Sequence, residues 1–249
     1  MMTLEEYVQE IITFLQTTVK IANAKGVIVG LSGGIDSAVV ALLMKKAFPK
    51  NHLCVILPCQ SDVLDMEYAQ KLVNTHNLTS QVIDLTTTFN NLTLQLTSLI
   101  TTKKQLVLGN IKARLRMTTL YALAQNHDYL VVGTDNADEW HIGYFTKYGD
   151  GAADLLPIVH LLKQDVVLLA KLLGVNPEII TRVPTAGLFP GQTDEMEMGV
   201  TYSQLDQYLL GNKNCLSLAV INKIEAMHNN SKHKREPIPQ APKWIQKKT

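Results

Sequence analysis

Charge of one sign is scarce in this sequence: 23 Lys and Arg stand against 22 Asp and Glu in 249 residues, a formal balance of +1. That balance lacks the basic field on which backbone-driven nucleic-acid binding depends, so no nucleic-acid partner is expected and any bound anion has to be held locally. Long apolar runs are missing as well. Stretches such as Ala38 to Met44 fall far below the roughly 20 residues that span a bilayer, so no membrane role is expected. The opening MMTLEEYVQEIITFLQ has neither the basic n-region nor the small-residue cleavage site of a signal peptide, which makes a cytoplasmic location the expectation. Cysteine is rare. Cys54, Cys59 and Cys215 form no even set and no CxxC pair, which fits a reducing compartment, argues against a cysteine-built zinc site and leaves all three as packing residues. No internal repeat or long linker divides the chain, so residues 1–249 read as one domain.

What is present is an alternation of helical and strand-like patterns. Apolar residues at helical spacing predict a helix over Thr3 to Ala24, and Gly26 to Leu31 is a short β-branched run. Helical periodicity resumes from Ile35 to Phe48 and stops at Pro49. The same reading gives strand His52 to Leu57, helix Val63 to His76, strand Ser80 to Leu85, helix Phe89 to Ile100, helix Gly109 to Gln125 and strand Tyr129 to Gly133. After a polar loop, Tyr144 to Asp154, come helices over Lys163 to Leu173, Pro177 to Ile180, Ser203 to Leu210 and Leu216 to Asn229. Thr185 to Thr193 is a long Gly/Pro-bearing loop, and the chain ends in a basic, Pro-rich tail. Strands alternating with helices of this length predict an α/β fold, a doubly wound, mainly parallel sheet with helices on both faces.

The strongest local signal is Ser32-Gly-Gly-Ile-Asp-Ser37, between a predicted strand and a predicted helix. Gly30, Gly33 and Gly34 allow close backbone approach, and Ser32 and Ser37 add hydroxyls, so the loop can surround a phosphate at a helix N-terminus. Asp36 is the odd member. A carboxylate beside a polyphosphate makes sense mainly with a divalent cation between them. The Walker lysine and the GxGxxG fingerprint are both absent, which disfavours γ-phosphoryl transfer of that kind and dinucleotide redox binding. Glu139 follows a strand end by six residues and can share a cation with Asp36, with Asp135 and Asp138 as competitors for that place. Arg114 and Arg116 lie two apart on a helix, so only one is expected to meet a ligand.

The SGGIDS loop over residues 30–37 resembles that of the PP-loop ATP pyrophosphatases, which cleave ATP between its α and β phosphates. With Gly109-Asn-Ile-Lys-Ala-Arg-Leu-Arg-Met117, Gly133-Thr-Asp-Asn-Ala-Asp-Glu139, Phe145-Thr-Lys-Tyr-Gly-Asp-Gly151, Pro184-Thr-Ala186 and His233-Lys-Arg235, nearly the whole chain resembles the ammonia-dependent NAD synthetases. That resemblance implies a three-layer α/β/α, adenine nucleotide alpha-hydrolase-like fold and a homodimer. It implies ATP contacts from the glycine loop, Thr134, Lys163 and Thr185, and Mg²⁺ ligation by Asp36 and Glu139. It selects Arg114, with Lys147, Asp154, His233 and Lys234, for deamido-NAD, places Asp150 where ammonia reacts, and makes residues 184–196 a mobile loop over ATP and 230–249 a clamp. Trp140, His141 and Gln164 depart from the family pattern and bear on pocket shape and ATP affinity.

The activity so implied is amidation of deamido-NAD by ammonia with ATP, through an adenylate, releasing AMP and pyrophosphate. No nucleophilic triad stands out, in keeping with catalysis by alignment and charge neutralisation. A glutaminase would require roughly 200 further residues, the size of another domain, so free ammonia or a separate supplier is expected. A tRNA-modifying ligase or GMP-forming amidotransferase would share the glycine loop but lack the GTDNADE and KYGDG blocks, and a non-catalytic nucleotide sensor would not need Asp36 paired with Glu139.

Overall fold

Parallel strands hydrogen-bond in the order β3-β2-β1-β4, with β1 at Gly26–Gly30, β2 at His52–Ile56, β3 at Ser80–Val82 and β4 at Tyr129–Val131. The computed structural model describes residues 2–185, 187, 191 and 193–244. β1 and β2 pair with Ile28 opposite Leu53, and β1 and β4 with Ile28 opposite Val131. The strand order runs outward from β1 to β3 and then reverses to β4, so the crevice beyond the carboxyl ends of β1 and β4 is the switch point where open α/β sheets bind ligands.

The two sheet faces carry separate cores. Val27, Val29, Cys54 and Ile56 face helices α1 (Leu4–Ile21), α2 (Ile35–Ala47), α3 (Val63–His76), α7 (Lys163–Leu173) and α8 (Pro177–Ile180). Ile28, Leu53, Val55 and Val131 face α4 (Thr86–Leu96) and α5 (Lys104–His127). This is the doubly wound three-layer arrangement expected from the alternation. A third apolar cluster, with Ile142, Met198, Tyr202, Leu205 and Ile224, joins α6 (Ala137–Ile142), α9 (Asp194–Met198), α10 (Tyr202–Leu209) and α11 (Leu218–Asn230) beside the sheet.

α1 starts at a capping box, Thr3 with Glu6, and buries Val8, Ile11, Leu15 and Val19 along one stripe. α2 differs. Ser37 to Met44 are all buried, so this helix has almost no solvent face and its start is fixed within the core.

Five expectations need correction. α4 starts three residues before and ends four residues before the predicted Phe89 to Ile100, because Thr93 and Thr97 turn their hydroxyls back onto the carbonyls of Phe89 and Thr93. α5 begins at Lys104, ahead of Gly109, from a left-handed Lys103. β3 stops at Val82, short of the expected Leu85, and the short helix α9 lies just beyond the Thr185 to Thr193 loop, where no element was expected. Cys54 and Cys59 are buried, but Cys215 is exposed, its Sγ donating to Asn212 O at 2.8 Å, so it is not a packing residue. Among the described residues no helix is long and apolar enough to cross a membrane.

Candidate active site

Past Gly30 the backbone turns through Ser32–Gly34 into α2. Gly33 has φ +83°, and a Cβ there would lie 2.3 Å from the backbone oxygen of Asp65 in the first turn of α3, so only glycine fits on both counts. Ser37 locks the turn: its Oγ donates to Gly34 O at 3.0 Å and accepts from Ser32 N at 3.2 Å, while the two serine hydroxyls meet at 3.0 Å. Gly34, the N-cap of α2, brings no side-chain acceptor to the first helical amides. Those donors face the cavity, and this is the arrangement in which helix N-termini hold phosphate. Gly33→Ala is expected to lower kcat/KM for ATP roughly 10²-fold, the cost of shifting a positioning loop by about an ångström. Steady-state kinetics at varied ATP check this, and an unchanged value would remove the loop from ATP use.

Opposite the loop, Thr134 to Asn136 leave the end of β4 and enter α6. Asn136 is the N-cap of α6. Its Oδ1 accepts from Asp138 N and Glu139 N, and Glu139 Oε2 accepts from Asn136 N. Asn136 Nδ2 then donates to Asp36 Oδ1 at 3.0 Å, so a single asparagine fixes both carboxylates of the expected cation site. In this structure both carboxylates meet a side-chain ammonium: Lys163 Nζ donates to Asp36 Oδ2 at 2.6 Å and to Glu139 Oε1 at 3.3 Å, and stands 4.5 Å over the Tyr202 ring. Glu139 is far from a solvated helix residue, with its side chain 13% exposed.

Burial pushes the Glu139 carboxyl up to about 7 despite the Lys163 ammonium, with the Asp36 charge adding to the rise. Burial also opposes the charge on Lys163, but Asp36 and Glu139 outweigh it and hold the ammonium above the ordinary lysine value. Tyr202 OH lies 2.9 Å from both Glu139 Oε1 and Asp194 Oδ2, with one proton for the two, and Tyr144 OH lies 2.8 Å from Glu197 Oε2 and 3.2 Å from Asp194 Oδ1, which extends the network to α9. A lysine at a helix start opposes the macrodipole, and a carboxylate relieves it. Asp138 Oδ2 accepts from Lys163 N at 2.7 Å. Asp138 Oδ1 and Asp206 Oδ1 are buried without a hydrogen-bond partner among the described residues, and burial first, with the Asp206 charge second, raises the Asp138 carboxyl to about 8. Asp138 is therefore a support for α7 and is turned away from the shared cation.

A cavity of about 270 Å³ gathers Ser32, Gly34, Asp36, Ser37, Thr134 and Glu139 with Lys163, Thr185 and Asp150. Asp150 lies in the polar loop, where Oδ1 accepts from Thr146 N at 3.0 Å, and burial raises its pKa. Gly151 fits there because a Cβ would meet the Phe145 ring at 2.2 Å. Asp135 shares that wall, is 5% exposed, and has an Oδ2 with no hydrogen-bond partner among the described residues; burial, then the charges of Asp150, Glu139 and Asp36, raise its pKa.

The residues implied for deamido-NAD lie outside this cavity. Arg114 is exposed and donates to Lys147 O at 3.2 Å, Lys147 Nζ donates to His233 O at 2.6 Å, and His233 is itself exposed. Lys234 Nζ donates to the carbonyls of Gly143 and Phe145, so the basic tail is docked on the Asp150 loop at this point instead of being solvated. Asp154 serves β4, accepting from Val131 N at 2.8 Å and Tyr121 OH at 3.3 Å. Of the two arginines it is Arg116 that reaches the cavity wall, donating to Leu57 O and Ser61 Oγ. Trp140 stacks on Phe145 and His141 on His228, neither against the cavity, and Gln164 is exposed, so these departures from the family pattern leave its described walls unchanged. Of the expected mobile loop, residues 186, 188–190 and 192 lie outside the described residues, as do 245–249 of the tail.

Sequence reasoning missed Asn136, Tyr202 and Asp194. Asn136 had a signal, the N-x-x-E spacing of a capping box. Tyr202 and Asp194 had none, since only the packing of α9 and α10 against α6 brings them to Glu139.

The family model for NAD synthase matches residues 7–238. The chain belongs to the NAD synthase family. Among its NAD synthase relatives, the NH(3)-dependent NAD(+) synthetase of Mesoplasma florum is 48% identical, over 99% of this chain and 100% of that protein. A solved NMN synthetase from Francisella tularensis superposes with a TM-score of 0.90 at 40% identity, covering 98% of this chain and 100% of that one. An NH3-dependent NAD synthetase from Campylobacter jejuni, solved with nitrate, gives 0.81 at 28% identity, covering 97% and 100%. NAD synthase membership replaces the other readings of the glycine loop, a tRNA-modifying ligase, a GMP-forming amidotransferase and a nucleotide sensor.

Proposed function

We propose that this protein amidates deamido-NAD with ammonia at the expense of ATP, giving NAD, AMP and pyrophosphate, with residues 1–249 acting as one synthetase domain in the cytosol. The observation that carries this reading is the convergence, in one cavity, of a glycine-loop anion cradle, the Asp36–Lys163–Glu139 cluster and a buried carboxyl at Asp150. A carboxylate oxygen is a poor leaving group, so the acid has to be activated first. Its carboxylate attacks the α-phosphorus of ATP and forms a mixed anhydride while pyrophosphate departs into the Ser32–Ser37 loop, where backbone amides and serine hydroxyls take up the growing charge. Thr134, Lys163 and Thr185 line the same space and contact the nucleotide. Ammonia then attacks the acyl carbon and AMP leaves.

Asp36 and Glu139 fit Mg²⁺, because their oxygens already converge on one cation and hard divalent ions are held by one or two carboxylates plus substrate phosphates. When bound there, Mg²⁺ neutralises polyphosphate charge. Asp150, with the unpartnered Asp135 Oδ2 beside it on the wall, captures ammonium and takes its proton. Arg114, Lys147, Asp154, His233 and Lys234 serve the dinucleotide from outside the cavity. The homodimer forms on the α4–α5 side, where Leu94, Leu99 and Leu106 are exposed.

A second reading changes only the acid. The NMN synthetase superposes at a TM-score of 0.90, and the cavity lining includes none of the five residues assigned to the dinucleotide, so a mononucleotide acid would use the same reacting wall. Mass spectrometry after incubation with ATP, Mg²⁺, an ammonium salt and equal amounts of the two acids separates these. The expected result is a loss of about one mass unit from deamido-NAD with one AMP per turnover; conversion of the mononucleotide alone would shift the assignment to the second acid, and ADP as the product would overturn both.

A further inference from the structure

We propose that Arg182 is a phosphate ligand held in reserve, its guanidinium parked on Asp65 beside the Gly33 turn and passed to the pyrophosphate half of ATP when the nucleotide enters. This rests on the ATP-cleaving reading above. The cavity is short of available positive charge: Asp36, Asp65, Asp135, Glu139, Asp150 and Asp194 line it among the described residues, against Arg116, Lys163 and Arg182. Lys163 is held between Asp36 and Glu139, and Arg116 is tied to Leu57 O and Ser61 Oγ. Arg182 differs from both. Its Nη2 donates to Asp65 Oδ1 at 2.6 Å and its Cζ lies 5.3 Å from the Tyr68 ring centre. One carboxylate and one aromatic face leave most of its five N–H donors for another anion, and the flat fork of a guanidinium matches phosphate oxygens in pairs.

Location supports the transfer. Asp65 is the residue whose backbone oxygen packs on Gly33, so the parking place adjoins the cradle, and a Cβ on Gly187 would lie 3.2 Å from Asp65 Oδ2, which puts Gly187 against the same carboxylate. Arg182 follows directly on the C-cap of α8, whose Ile179 is buried, so its backbone has a fixed base from which the long side chain can swing. An incoming pyrophosphate would meet the Asp65 charge unless Arg182 moved between them. Asp65 and Arg182 side chains are 15% and 19% exposed, partly desolvated but still open to the cavity.

Calorimetric titration with pyrophosphate plus Mg²⁺, and separately with AMP, tests this on the full chain. Arg182→Met is expected to weaken pyrophosphate binding roughly ten- to hundredfold, the value of a charge-assisted bond, and to leave AMP binding unchanged. Asp65→Asn, which frees the guanidinium and removes a repelling charge, is expected to tighten pyrophosphate binding, and Arg182→Lys to keep part of it. Equal weakening in Arg182→Met and Asp65→Asn would mean an ordinary structural ion pair and would overturn the proposal, as would no change in Arg182→Met. If the unaltered protein binds neither pyrophosphate nor AMP, it is the ATP reading itself that fails.

Discussion

Lys163→Met should destabilise the ligand-free protein by roughly 3–5 kcal/mol and lower kcat by about 10²–10³-fold, and added Mg²⁺ should restore much of the stability but little of the rate. The ammonium is the one described cation between the Asp36 and Glu139 carboxylates, both largely desolvated, with side chains 17% and 13% exposed. Without it, two buried carboxyls face each other, and the cheapest response is to protonate Glu139, already raised to about 7 by burial. A raised carboxyl pKa favours the fold below the unfolded value and loses that contribution as pH rises through about 7, so the deficit of the variant should widen from pH 6 to 8. Thermal melts across that range, with and without Mg²⁺, give the answer. A variant that melts like the parent and ignores Mg²⁺ would show that Asp36 and Glu139 are not a cation site.

Asp150→Asn should separate the two half-reactions. Adenylate formation, followed as ATP–pyrophosphate exchange, is expected to persist near the parent rate, whereas amide formation falls roughly 10²–10⁴-fold, the range for loss of a positioned general base. The asparagine keeps the acceptor for Thr146 N, so the loop should hold its shape. What disappears is the charge that attracts ammonium and the oxygen that takes its proton. The parent carboxyl is raised by burial, so at limiting ammonium its rate should climb with pH as Asp150 ionises, and the variant should lose that limb. Equal slowing of exchange and amidation would place Asp150 in nucleotide binding instead.

Much of this architecture was legible because its punctuation is local. Asp62 caps α3, Gly174 at φ +77° ends α7 and Pro177 opens α8, and all three helices run over the residues that the periodicity marked. α4 slipped because a Thr- and Asn-rich stretch offers side-chain hydroxyls to its own backbone, which blurs both the hydrophobic period and the helix end. Within the site, the loop and Asp36 were readable as anion and cation chemistry. The place of Lys163 was not, since its ion pair with Asp36 bridges 127 residues of sequence and is made by α7 packing on α2. Arg116 and Arg114 show the same limit: helical spacing said that one of them faces a ligand, and only the cavity shows which residue sits on its wall.

The immersion of α2 constrains how this scaffold can be re-engineered. A helix buried from Ser37 to Met44 cannot tilt or unwind without taking the first core with it, so the phosphate end of the nucleotide pocket behaves as a fixed anvil. Changes to the cavity are better made around Val55 to Pro58, Met66 and Leu120, whose residues line it outside α2 and can be exchanged one at a time.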